Sequence, residues 1–192
     1  ESADIRAFAA QQGYQNFYIH PENTQEELSS AILFVHPLSN KNMSTIGLNM
    51  MAQPYTKEAM LRAKVTAAPA LTQKVEVTES SKQGNQPVVL FVPHFANNSK
   101  NITGEERDQN LQGYVYTEFE PQQLLSQLLD SESRQQHFSV QVYSQNQTPE
   151  NLLYQTDNFD EIKNNGSSTA VTKDVPLFGA TWKLFFQFDT LN

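Results

Sequence analysis

The stretch that decides the fold is residues 31–72, which read AILFVHPLSN KNMSTIGLNM MAQPYTKEAM LRAKVTAAPA LT. An apolar run at 31–35 stops at His36-Pro37, and a polar loop follows it as far as Thr45. Pro54 suits the first position of a helix, where no N–H is needed, and Pro69 cannot continue that helix. A further strand is expected at 70–72. The pattern therefore predicts a strand–loop–helix–strand unit whose polar loop at 39–45 and Asn49 lie where a pocket could form.

Short motifs follow one another in this stretch, and in their order and spacing they resemble the CHASE domain. They are His36-Pro37-Leu38, Asn42, Ile46-Gly47-Leu48-Asn49, Ala59-Met60-Leu61-Arg62-Ala63 and Thr66-Ala67. The resemblance continues at 87–95 and 113–129 and weakens after about Ser133. CHASE domains are the extracytoplasmic sensors of many bacterial histidine kinases and diguanylate cyclases and of the plant cytokinin receptors.

Composition narrows the range of functions. The chain has 192 residues, 38% of them hydrophobic and 10% aromatic, which is enough for a substantial core. Its formal net charge of −8 argues against a surface for nucleic acid or anionic membrane, since both need clustered Lys and Arg. The absence of Cys removes disulfides, thiolate zinc sites and cysteine nucleophiles. We expect neither a cofactor nor a metal site.

The ends of the chain suggest a segment of a longer protein. No apolar run approaches the roughly 20 residues of a membrane-spanning helix, and no signal peptide is evident. The chain starts at Glu1 without a Met and runs straight into a helical pattern. We therefore expect any membrane anchors to lie outside it.

The predicted fold class is α+β with antiparallel sheets. A strand–helix–strand–strand order occurs twice, at 31–95 and at 113–188, with strands at 17–20, 31–35 and 74–78 among those expected. The resemblance implies tandem PAS-like lobes preceded by a truncated stalk helix. Residues 1–13 would then end the stalk, 14–110 would form a membrane-distal ligand-binding lobe, and 111–192 a membrane-proximal lobe.

Several local features complete the predicted architecture. The helix at 121–129 should turn four leucines inward, namely Leu124, Leu125, Leu128 and Leu129. Residues 96–110 should form a long polar surface loop. A final hairpin is expected from strands at 170–177 and 181–188 joined at Phe178-Gly179. Ala67 stands where the family has Gly, which predicts an altered helix end because Ala does not readily adopt the left-handed conformation.

No enzyme motif is present. The sequence lacks the nucleophile elbow, the phosphate-binding loops and the paired-histidine zinc motif. The four His residues are scattered, and the acidic residues near 157–161 lack the spacing of a calcium loop. We therefore predict that this domain is not an enzyme. An unrecognised hydrolase is retained only as an alternative without a supporting motif.

A ligand pocket is predicted in the first lobe from an apolar sheet face with a few polar groups. The predicted ligand-binding residues are Asn49, Leu71, Thr72, Val77, Ser80, Leu90, Val92 and Tyr114. The resemblance implies that the residue at position 49 contacts the ligand, because an acidic residue there binds the adenine-type ligand in the cytokinin-receptor branch. Residues matching Leu71 and Leu90 pack around that ligand. Core packing is the alternative role for the aliphatic residues, and a turn before a helix is the alternative for Asn49.

Position 49 departs from the family pattern, since the chain has Asn in place of Asp. A carboxylate only accepts hydrogen bonds, whereas an amide both donates and accepts them. The ligand is therefore expected to carry an acceptor or a carboxylate, and a cationic amine would lose its charge partner. An adenine-type compound stays among the candidates.

The resemblance implies an extracytoplasmic small-molecule sensor of a transmembrane receptor. The receptor would be a bacterial inner-membrane protein with this part in the periplasm, a histidine kinase or diguanylate cyclase output and helices flanking this segment. The stalk helix would make the full-length receptor a homodimer. The alternative is a periplasmic or secreted binding or adhesion module without signalling output, whose Asn- and Gln-rich loops would form the interaction surface.

Overall fold

A computed structural model describes residues 2–14, 16–21, 28–37, 39–73, 87–96, 103–135, 137–164 and 168–189. The chain divides into two compact units, Glu1–Glu58 and Ala59–Asn192. Both helices and strands are present, and both sheets are antiparallel. The predicted α+β class with antiparallel sheets is therefore confirmed.

The first unit contains helices and hydrogen-bonded extended segments. Helix α1 spans Ser2–Gln11, helix α2 spans Asn40–Met43, and a 3-10 turn spans Met50–Ala52. The strand predicted at 31–35 is not formed, and the segment 17–20 contributes only an isolated bridge between His20 and Leu48. Phe34 is 60% exposed, so the apolar run is not covered on both faces as predicted.

The turn at 46–49 is bound on both sides by extended backbone. On one side, His20 N–H donates to Gly47 O at 2.9 Å and Asn49 N–H donates to His20 O at 2.8 Å. On the other, Gly47 N–H donates to Ile32 O at 2.8 Å and Ile32 N–H donates to Leu48 O at 3.1 Å. Gly47 has φ of 87°, and a Cβ there would collide with Tyr18 O. Only Gly therefore fits this position.

Helix α3 spans Pro54–Thr66, as the two prolines predicted. Ala59, Met60 and Ala63 form its buried face. Ala67 adopts φ of 51° directly after the helix, and its N–H donates to Lys64 O. The expectation that Ala would alter this helix end is wrong: the residue takes the left-handed position that usually favours Gly.

The second unit holds two sheets. The three-stranded sheet has the order β1–β2–β3, with β1 at Ala70–Leu71, β2 at Val88–Phe95 and β3 at Leu111–Phe119. Helix α4 spans Gly104–Asn110 and helix α5 spans Pro121–Gln135. The four-stranded sheet has the order β5–β4–β7–β6, with these bounds: β4 Phe138–Tyr143, β5 Leu152–Gln155, β6 Ser168–Leu177 and β7 Ala180–Asp189. The second unit also contains a 3-10 turn at Pro149–Asn151 and helix α6 at Phe159–Asn164.

Strand β3 belongs to the first sheet. It pairs with β2 along its length, from Val88 opposite Phe119 to Phe95 opposite Leu111. The predicted boundary after residue 110 places this strand in the second lobe, whereas its hydrogen-bonding partner β2 lies upstream of that boundary. The division into stalk, distal lobe and proximal lobe stays a prediction. The strand predicted at 74–78 lies outside the described residues.

The final hairpin is confirmed, with β6 and β7 paired from Ser168 opposite Asp189 to Leu177 opposite Ala180. Its two turn residues, Phe178 and Gly179, have φ of 47° and 74°. Positive φ at both central positions suits a tight hairpin, because the twist of such a turn matches that of the strands. A Cβ on Gly179 would lie 2.8 Å from Arg62 Nε. The hairpin turn is thus packed against the side chain of a residue in α3.

Both sheets contribute to one hydrophobic cluster. Its fully or nearly buried members are Leu71, Val88, Val140, Val142, Leu153, Tyr154, Ala180 and Trp182. Leu125 and Leu129 of α5 pack against it. Leu124 and Leu128 do not face inward as predicted, since they are 45% and 59% exposed. A helix that covers one sheet face buries only a narrow stripe, and two of the four leucines fall outside it.

Helix α4 lies within the region predicted as a loop. Thr103 and Glu106 form a reciprocal capping box at its start: Thr103 N–H donates to Glu106 Oε2 at 2.7 Å, and Glu106 N–H donates to Thr103 Oγ1. The hydrogen bond from the Thr103 backbone lowers the pKa of Glu106. The T-x-x-E pattern that signals such a box is visible in the sequence.

We predict that Gly179→Ala lowers the free energy of unfolding by about 1–2 kcal/mol, because Ala must take a left-handed conformation and displace Arg62. Gly104→Ala is the matched control, since a Cβ at Gly104 has nothing within 4 Å. It should change stability by less than about 0.5 kcal/mol. Urea unfolding followed by circular dichroism measures both, and equal losses in the two variants would contradict this account.

Candidate functional site

Asn49 is almost completely buried, with 1% of its surface exposed. It caps the 3-10 turn at Met50–Ala52 by accepting the Met51 N–H at its Oδ1 at 3.1 Å. The same Oδ1 accepts from Ser30 N–H at 3.0 Å and from Ser30 Oγ at 3.2 Å. The side chain therefore has the turn role that was the alternative to ligand binding, and it also holds the segment around Ser30.

The other end of the Asn49 amide is a buried donor. Its Nδ2 finds no hydrogen-bond acceptor among the residues that the structure describes. Two backbone N–H groups point at Oδ1, so exchanging the two ends of the amide would set donor against donor. A buried N–H without a partner costs about 1–3 kcal/mol, which makes it a ready partner for an acceptor group.

Leu71 is fully buried in the cluster shared by the two sheets. Its backbone is bonded on both sides, because its N–H donates to Phe178 O at 2.9 Å and its carbonyl accepts from Arg62 Nη2 at 2.6 Å. The structure thus gives Leu71 a core role. Its contact with a ligand stays a prediction.

Thr72 extends the pairing of β1 beyond the end of the strand. Its N–H donates to Val89 O at 2.9 Å, and its Oγ1 accepts from Val89 N–H at 3.0 Å. The residue is fully buried. Its hydroxyl oxygen therefore takes the place of a backbone carbonyl as an acceptor in the sheet.

Leu90 and Val92 share one face of the three-stranded sheet, as predicted. Leu71 lies opposite Leu90 and so belongs to the same face. Leu90 is half-buried against the cluster, whereas Val92 is 40% exposed and lies opposite Val115, which is 69% exposed. This face thus runs from a buried end at Leu71 to an open end at Val92.

Tyr114 lies on the opposite face of that sheet. Its ring makes an edge contact with Phe91, and its hydroxyl donates to Met60 O of α3 at 3.0 Å. Burial, with a smaller contribution from Asp108, raises the pKa of Tyr114 to about 12, so the hydroxyl stays a donor at neutral pH. The structure therefore separates Tyr114 from the face that carries Leu71, Leu90 and Val92.

Two of the predicted site residues, Val77 and Ser80, lie outside the described residues. Asn49 belongs to the first unit, and the remaining five to the second. Ligand binding by each of the eight stays a prediction.

Two residues with structural roles near these positions were not anticipated. Ser30 supplies three of the hydrogen bonds around the 49–51 turn, and Arg62 joins α3 to Leu71. Ser30 is 19 residues from Asn49 in sequence, and no local pattern links the two. Arg62 lies inside a family-like motif, but the sequence does not show that its side chain reaches the Leu71 carbonyl in β1.

The described part of the chain holds no group of three or more His, Asp or Glu side chains arranged to bind a metal. Its helices are also all too short or too polar to cross a membrane.

Comparison with known proteins gives one family match. The family model of the CHASE domain matches residues 1–154. The chain is similar in structure to a solved extracellular ligand binding receptor from Desulfohalobium retbaense DSM5692, with 14% sequence identity and a TM-score of 0.45. That similarity covers 76% of this chain and 26% of the receptor chain, so this chain spans about a quarter of that protein's length. No curated protein matches the chain.

We predict that Leu71→Ala destabilises the protein by about 2–5 kcal/mol, as expected for a cavity in a packed core. Val92→Ala, on the same sheet face but partly exposed, should cost less than about 1 kcal/mol. Chemical denaturation monitored by the fluorescence of Trp182, which lies in the same cluster, measures both. A small and equal effect of the two substitutions would show that Leu71 is not a core residue.

Proposed function

Because the chain belongs to the CHASE domain family, a family of extracytoplasmic sensor domains, we propose that it is the small-molecule sensor of a transmembrane signalling receptor. The observation that carries this proposal is the family match over residues 1–154. The receptor is a bacterial inner-membrane histidine kinase or diguanylate cyclase with this part in the periplasm. Helix α1 is the end of the stalk through which the full-length receptor dimerises.

The chemistry of Asn49 supports a ligand that carries a hydrogen-bond acceptor, such as a carboxylate or a ring nitrogen. The Oδ1 atom already accepts three hydrogen bonds, whereas Nδ2 is a buried donor without an acceptor among the described residues. An acceptor group on the ligand would remove the cost of that buried donor. A cationic amine gains nothing from this amide.

Signal transmission needs a ligand that binds one conformation better than another, and the shift can be no larger than that preference. Strand β1 is well placed to carry such a shift within the second unit. Its Leu71 bonds to the turn between β6 and β7 and packs in the core of the four-stranded sheet. A displacement of β1 therefore has to be accommodated by the final hairpin.

A thermal-shift screen tests the ligand chemistry, with adenine derivatives, amino acids and carboxylic acids as probes. A compound at 100 times its dissociation constant stabilises by about 2.7 kcal/mol, which for this size is about 5–10 °C. We expect a hit with an acceptor group that is lost in Asn49→Asp, where the carboxylate cannot donate. Asn49→Ala should lose the hit too, along with the cap of the 3-10 turn.

The control for this screen is Asn42→Ala, which removes an exposed amide that donates to Pro37 O. It should keep both the fold and the hit. A hit that survives Asn49→Asp unchanged in a folded protein would contradict the role of Nδ2. The absence of any hit among the three classes would count against small-molecule sensing by this segment.

The receptor proposal also predicts the surrounding gene. Translation of the complete reading frame should show an apolar helix of about 20 residues on each side of this segment and a kinase or cyclase domain downstream. A frame without those elements would favour a binding or adhesion module without signalling output.

A further inference from the structure

The four-stranded sheet has a second face, opposite the hydrophobic cluster. Residues paired across strands share a face, and the pairs Gln141–Phe185 and Ser139–Gln187 alternate with the core pairs Val140–Phe186 and Val142–Leu184. Phe185 and Gln187 therefore point to the side of the sheet away from α5. Helix α6 and the loop around Pro149 cover part of that side and border an open cavity of about 490 Å³.

The floor of this cavity is polar and largely self-satisfied. Tyr143 Oη donates to Gln141 Oε1 at 2.7 Å, and Gln141 Nε2 donates to Gln155 Oε1 at 2.7 Å. Burial raises the pKa of Tyr143, an effect reduced in part by a hydrogen bond with Gln147, so the hydroxyl keeps its proton. These amides and the phenol thus have their orientation fixed by one another.

One polar atom on the floor of the cavity takes no part in the hydrogen bonds among Tyr143, Gln141 and Gln155. Gln187 Oε1 is buried and has no donor among the residues that the structure describes. An amide oxygen in that position needs an N–H or O–H group. Because Gln187 lines the cavity, a molecule bound there can supply this donor.

The walls add apolar surface and one charge. Phe159 and Lys163 are four residues apart in α6 and so project to the same side, which leaves Asp160 and Glu161 on other sides of the helix. Phe159, Phe185 and Leu152 supply the apolar lining. Among the lining residues, Lys163 is the one with a formal charge at neutral pH. The cavity therefore favours an anion over a cation.

We propose that this cavity is a second small-molecule site, separate from the one proposed around Asn49. Its ligand is a small molecule with an anionic group, an apolar ring or branched body and an N–H donor. The anionic group pairs with Lys163, the donor binds Gln187 Oε1, and the apolar body lies against Phe159 and Phe185. A volume of about 490 Å³ is within the roughly 300–1,000 Å³ range of ligand cavities.

Three probes separate these contributions in the 192-residue chain. L-Phenylalanine, a zwitterion at neutral pH, carries a carboxylate, an ammonium N–H donor and the ring, whereas phenylacetate lacks the N–H donor and phenethylamine lacks the carboxylate. Titrations followed by saturation-transfer NMR give their affinities. We expect L-phenylalanine to bind more tightly than either of the other two.

Lys163→Gln should weaken L-phenylalanine about tenfold or more, because it removes a charged hydrogen bond from an exposed position without disturbing the core. Lys173→Gln is the matched control, since it makes the same charge change on exposed β6 outside the cavity. The affinity of this variant for L-phenylalanine should stay within about twofold of that of the unsubstituted protein. Gln187→Leu removes the acceptor while keeping the side-chain size. In that variant, L-phenylalanine and phenylacetate should bind equally well.

Three results would overturn the proposal. The first is no saturable binding of any probe up to about 10 mM, which would leave the cavity to water. The second is an equal effect of Lys163→Gln and Lys173→Gln in folded protein. The third is binding that is lost in Asn49→Ala but intact in Lys163→Gln, since the probe would then occupy the site around Asn49. If no ligand binds at Asn49, the binding of the probes to this cavity and the effects of Lys163→Gln, Lys173→Gln and Asn49→Ala on that binding should stay as expected here.

Discussion

The architecture of the second unit depends on how Leu71 is held. Its N–H is bonded to the turn between β6 and β7, its carbonyl to Arg62 of α3, and its side chain is buried among residues of both sheets. Strand β1 is only two residues long, too short to be stable by its own pairing. The hydrogen bonds and the shared core therefore make the three-stranded and four-stranded sheets one packed body. The left-handed turn at Phe178 and Gly179 presents the carbonyl that this arrangement needs.

The two ends of the Asn49 amide differ in their hydrogen bonding within the described structure. Its oxygen is fully used within the first unit, where it caps a turn and holds Ser30. Its nitrogen contributes nothing to that network among the described residues. An Asp at this position would provide the same acceptor but no donor, and it would place a charge in a site with 1% exposure. Having Asn in place of Asp at position 49 therefore keeps the acceptor that caps the turn and adds a hydrogen-bond donor.

The four-stranded sheet divides its two faces between stability and polarity. One face carries Val140 and Val142 with α5 packed over the cluster, and the other carries Gln141 and Tyr143 beneath a cavity. Strict alternation along β4 produces this division, since neighbouring residues point to opposite sides. A sheet so arranged can hold a cavity with polar and apolar lining on one side without weakening the packing on the other.

Local signals in the sequence determined a large part of this fold. Pro54 and Pro69 delimit α3, alternation identifies β2 and β4, and the Phe178-Gly179 pair marks the hairpin, because each feature depends on backbone preferences within a few residues. The T-x-x-E pattern at Thr103 and Glu106 also indicates the start of α4, within a region whose polar composition favours a loop.

Other features were decided only by the tertiary structure. Among the described residues the apolar run at 31–35 forms no strand, and β3 joins the first sheet by pairing with β2. Which leucines of α5 are buried depends on the surface that the helix covers. Likewise, the direction of the Asn49 amide depends on Ser30, 19 residues away, which donates to its oxygen. Periodicity tells which residues share a face, but the partner of that face is supplied by distant parts of the chain.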